Sequence, residues 1–76
     1  MKRVKPMDKR IGKCLKRLRE EADMSQMTLA AKTGVTFQQI QKYENGKNRV
    51  SAGTLAKIAK ILKQPIAWFF PEEFRT

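Results

Sequence analysis

Seventy-six residues with a mass of 8.8 kDa leave room for one small domain, because a chain this short hides only about 60% of its unfolded surface on folding. Seventeen Lys and Arg against seven Asp and Glu give a net charge of +10, which directs attention to a polyanionic partner. The absence of His excludes Ser-His-Asp triads, histidine acid-base chemistry and the commonest zinc sites.

The basic surplus is concentrated at the amino end, where residues 1–7 read as a flexible leader and Asp8 as the N-cap of a first helix. Ile11, Leu15, Leu18 and Ala22 then recur at spacings of 4, 3 and 4, one apolar stripe of an amphipathic helix. Glu20 and Glu21 stand within one turn of Lys16 and Arg17 and can pair with them. Cys14 lies beside the stripe as a small apolar side chain. It has no second Cys with which to close a disulfide, so the expected compartment is the reducing cytoplasm.

Ser25 caps a two-turn segment, Gln26 to Thr33, that stops at Gly34, where a left-handed residue is needed. Thr36 caps a second short segment, Phe37 to Glu44, stopped by Asn45-Gly46. Residues 47–50 read as a loop, and Ser51 caps a fourth helix with Leu55, Ile58, Ala59 and Leu62 on one face. Gln64-Pro65 ends it. Pro65 opens a fifth short helix, Ile66 to Phe70, closed by Pro71, with 71–76 as a frayed tail. No stretch alternates like a strand, and the longest apolar run, Ile66 to Phe70, is far short of the roughly 20 residues of a membrane span. The expectation is an all-α domain of five helices over residues 8–70.

Two-turn helices are unstable alone, so the pair joined by Gly34-Val35-Thr36 must be braced by each other and by the first and fourth helices, as in a helix-turn-helix. At about 100° per residue, Ile40 and Tyr43 face the core, while Phe37, Gln38, Gln41 and Lys42 face away. Gln can bond adenine N6 and N7, Lys can donate to guanine O6 or N7, and Phe37 can touch a thymine methyl. Ser25 and Gln26 open the first short helix, where free N–H groups and the positive dipole end suit a phosphate oxygen. Asn45, Lys47 and Arg49, just past the reading helix, can hold a second stretch of backbone. Phe37 has a competing role, packing on Met27 at the edge of the core.

The run from Ser25 to Gly46, SQMTLAAKTGVTFQQIQKYENG, resembles the phage repressor and Cro type of helix-turn-helix regulator. The resemblance extends to Leu55-Ala56-Lys57-Ile58-Ala59 and to Pro65-Ile66-Ala67-Trp68-Phe69-Phe70, and implies a compact five-helix, lambda-repressor-like domain. It implies phosphate contact at Gln26, base contact at Thr36, Phe37, Gln38 and Lys42, and a buried ion pair between Arg19 and Glu44. Phe37 stands where relatives often carry a polar residue. Thr28 stands where they often carry a glutamate that completes a capping box.

Trp68, Phe69 and Phe70 crowd three of the six aromatics into one segment. Two subunits meeting there would set their reading helices about 34 Å apart, one turn of DNA. The expected function is a homodimeric, sequence-specific regulator of transcription, most often a repressor, on a palindromic operator in double-stranded DNA. It needs no cofactor, metal, membrane or small-molecule ligand and performs no catalysis. An antitoxin and a restriction-modification controller protein are the competing readings.

Overall fold

A computed structural model describes residues 6–74. Among these, four α-helices follow one another: α1 (Pro6–Glu21), α2 (Gln26–Thr33), α3 (Phe37–Glu44) and α4 (Ala52–Leu62). Two single-turn 3-10 segments, Ile66–Phe69 and Glu72–Phe74, complete them, and no strand occurs among the described residues. No helix there is long and apolar enough to cross a membrane.

Hydroxyl caps open the three inner helices. Ser25, Thr36 and Ser51 have extended backbones, and their side-chain oxygens accept from the N–H of Thr28, Gln39 and Thr54, respectively, satisfying a donor that the helix itself leaves open. At Thr28 the missing glutamate is replaced by a different link. Ser25 Oγ donates to Thr28 Oγ1 at 2.9 Å, and Ser51 and Thr54 repeat the arrangement at 3.0 Å. Gly34 closes α2 in the left-handed region, with φ of 80°.

The first helix differs from its expected outline at both ends. Asp8 lies inside the first turn of a helix that already includes Pro6, so it is not the cap; its buried carboxylate accepts from Arg49. Residues 1–5 of the expected leader lie outside the described residues. At the other end Ala22 is exposed, because Asp23 turns the chain at φ of 54° and the Met24 N–H returns to the Arg19 carbonyl. Met24 packs against the core instead.

The expected fifth helix is a 3-10 turn. Between Pro65 and Pro71 only i to i+3 bonds close, Trp68 N–H to Pro65 O at 3.0 Å and Phe70 N–H to Ala67 O at 3.2 Å, the geometry used where a run is too short for a full α turn. The tail beyond is ordered through residue 74, and Glu73 receives two hydrogen bonds from Arg10 of α1. Arg75 and Thr76 lie outside the described residues.

Leu15, Leu29, Ile40, Ile58 and Phe69 are completely buried at the centre. α3 packs on α1 and α2, α2 also packs on α4, and the Ile66–Phe69 turn closes over α1 and α4. Gly12 permits a close approach of α1 to α3: a Cβ there would lie 2.3 Å from the Tyr43 carbonyl oxygen and 3.0 Å from that of Glu44. The two short central helices are thereby held between longer ones.

A candidate nucleic-acid interface

The inner and outer sides of α3 divide as its helical period requires. Ile40, Tyr43 and Glu44 are buried, whereas Gln38 and Lys42 are exposed and Gln41 is half-buried. Among the described residues, the side chains of Gln38, Gln41 and Lys42 make no hydrogen bond. Thr36, also exposed, spends its hydroxyl on the Gln39 N–H. Phe37 is half-buried and packs against the core, so one part of its ring is committed to the protein and the rest faces out.

The end of this helix is fixed by a four-residue network. Arg19 donates to Glu44 twice, Nε to Oε2 at 2.6 Å and Nη2 to Oε1 at 3.0 Å, and its Nη1 donates to the Met24 carbonyl at 2.6 Å. Hydrogen bonding to Glu44 raises the Arg19 pKa further, against the opposing effect of burial. Gln26 Nε2 adds a fourth bond, to Glu44 Oε1 at 2.8 Å. Glu44 therefore joins α1, the start of α2 and the end of α3. The Gln26 amide retains a second N–H, and the first-turn N–H groups of α2 have no intrahelical carbonyl to meet.

Past α3, the chain turns through Gly46 at φ of 72°, and the Lys47 N–H bonds the Lys42 carbonyl at 2.9 Å. Ser25, Asn45, Lys47 and Arg49 are exposed. Arg49 is also tied by Nε to Asp8 Oδ1 at 3.2 Å, an ion pair hidden from sequence reasoning by a separation of 41 positions. The Gln26 to Glu44 bond was equally hidden. Gly12 carried a legible signal, a glycine inside a helical stripe, but not its partner.

The aromatic segment divides differently from expectation. Phe69 is fully buried within its own subunit, so it is not available to an interface; the turn at Pro65 points it between α1 and α4. Trp68 is 45% exposed and Phe70 is partly buried, and Ile66 and Phe74 add exposed apolar surface nearby in the chain. Cys14 is a free thiol of intermediate burial, and no cluster of potential metal ligands occurs among the described residues.

A family profile described as helix-turn-helix matches residues 15–69, from the second half of α1 to the aromatic turn. The chain belongs to this family. Within the helix-turn-helix family, of the XRE or Cro type, an HTH-type transcriptional regulator of Sinorhizobium fredii (strain NBRC 101917 / NGR234), y4wC, is 49% identical over 66 residues, covering 87% of this chain and 46% of the relative. The chain spans about half the length of several curated relatives it matches. Among solved structures, the restriction-modification controller protein C.AhdI from Aeromonas hydrophila superposes with a TM-score of 0.78 at 29% identity, covering 82% of this chain and 94% of that one. The hydroxypropylphosphonic acid epoxidase from S. wedmorenis has a TM-score of 0.80 at 27% identity, over 86% of this chain but only 35% of its own. The curated relatives that share this helix-turn-helix domain are named as transcriptional regulators.

Proposed function

We propose that the chain regulates transcription by binding one DNA sequence in duplex form, with α3 seated in the major groove. The observation that carries this reading is the exposed row of Gln38 and Lys42 without protein partners, on a helix whose opposite side is locked into the core. Thr36, Phe37 and Gln41 border that row. Ser25, Gln26, Asn45, Lys47 and Arg49 hold phosphates on either side of it and set its register. Two copies meeting through Trp68 and Phe70 bind a palindromic operator, and occupancy of that operator represses the gene behind it. The working compartment is the cytoplasm, on the nucleoid.

The likeness to C.AhdI over most of that chain's length supports a second reading, a controller of restriction-modification genes. It uses the same interface and differs only in the genes controlled.

Selection of duplexes from a random pool tests the proposal. A recovered palindrome is expected. Gln38→Ala should then lose about 1–3 kcal/mol of discrimination at one base pair, whereas Lys47→Ala should weaken all duplexes alike. Equal affinity of the unmutated protein for every duplex would overturn sequence reading.

A further inference from the structure

We propose that Asp8 is a positioning residue that holds the guanidinium of Arg49 ready for a DNA phosphate, a role that rests on the DNA-binding reading above. The two side chains are unequal in setting. That of Asp8 is 8% exposed and that of Arg49 is 59% exposed, so a fixed carboxylate under the surface grips a cation that reaches out of it. The grip uses Nε alone, at 3.2 Å from Oδ1. Among the described residues, neither Nη group of Arg49 has an acceptor. Those two groups carry four N–H donors, and a guanidinium can serve a carboxylate on one edge and a phosphate on the other.

The loop backbone is fixed as well. Gly46 rests on α1 so closely that a Cβ would fall 2.5 Å from Lys9 Cγ and 2.7 Å from Lys9 Cα. The carboxylate itself sits in the first turn of α1, which fixes its place relative to the loop. Two effects on DNA affinity oppose each other. The negative charge of Asp8 offsets part of the attraction between Arg49 and phosphate, an effect that added salt screens. Immobilising a free, rotamer-rich side chain at an interface weakens binding by about two- to tenfold, and Asp8 bears that cost before DNA arrives. Restraint outweighs neutralisation.

The test is a double-mutant cycle of D8N and R49A, with affinity for a selected fluorescent duplex measured against KCl concentration. Concentrations are corrected for active fraction by stoichiometric titration. R49A is expected to reduce the log-log salt slope by about one. D8N should weaken binding about two- to tenfold and add nothing in the R49A background. Tighter binding by D8N would mean that Asp8 only masks charge, and an equal loss with or without Arg49 would mean that it acts through the fold; either overturns the proposal. A complementary measurement needs no Asp8 variant: nitrogen-15 relaxation at Arg49 Nε in the free protein should show a restrained side chain, and free rotation would overturn the role. If the unmutated protein binds no duplex in the salt series, the DNA-binding reading itself has failed. If it binds and the cycle shows no coupling, only the role of Asp8 has failed.

Discussion

Glu44 shows how much of the candidate interface depends on one side chain. Its carboxylate is 1% exposed and accepts from both Arg19 and Gln26, so removing Arg19 leaves a buried charge with too few donors. Arg19→Ala should destabilise the fold by about 3–5 kcal/mol, read as a lowered urea midpoint; an unchanged midpoint would contradict the network. The pairing was legible only through the resemblance, since its members stand 25 positions apart and no spacing rule connects them. Asp8 was misread for a related reason: an acidic residue ahead of an apolar stripe resembles a cap, and its true partner lies across the fold. Glu73 makes a different case. Hydrogen bonding from Arg10 holds its carboxyl below the ordinary glutamate range. A depressed folded-state pKa contributes stability above the unfolded-state pKa, and that stability is lost as pH falls through the folded-state value. Wild-type and Glu73→Gln melting curves should therefore be separated slightly at neutral pH and converge in acid, the gap being small because both partners are exposed.

The elements were most legible where chemistry is local. α2 and α3 occupy the expected residues because Ser25 and Thr36 start them and Gly34 and Asn45-Gly46 stop them, signals confined to a few neighbouring positions. The Ile66–Phe69 segment was less so, because five apolar residues between two prolines fit an α turn or a 3-10 turn equally well by pattern, and packing decides. The end of α4 lies between these cases. Gln64-Pro65 announces it, but the residue that turns the chain is Lys63, at φ of 58° and ψ of 41°, where a Cβ is unfavourable. Lys63→Gly should raise stability by about 0.5–1 kcal/mol, seen as a higher urea midpoint with an unchanged denaturant slope. A lower midpoint would mean that the lysine side chain stabilises the turn by contacts of its own.

Across the whole molecule, the burial of Phe69 separates folding from assembly. Phe69→Ala should cost about 3–5 kcal/mol of stability, as for any large side chain removed from a core. Trp68→Glu should leave the fold intact and shift sedimentation toward monomer; a dimer that survives would remove Trp68 from the proposed interface. With four phosphates neutralised per subunit, a dimer should show a log-log salt slope on the order of −7, and a monomer about half of that. The net charge of +10 pointed to a polyanion but not to the geometry of the contact. The sequence pattern of α3 supplied the exposed row, yet Phe37, half packed and half open, kept both of its roles because a wheel cannot tell a core edge from an outer face.

The approach of Gly12 to the carbonyls of Tyr43 and Glu44 bears on how an operator is chosen. Helices in such contact cannot slide or tilt independently, so the protein has little freedom to adapt to an imperfect site. Any misfit then falls on the double helix, through bending, twisting or a change in groove width whose cost depends on base steps that no side chain touches. Preferences at those silent positions should accompany the ones proposed for Gln38 and Lys42.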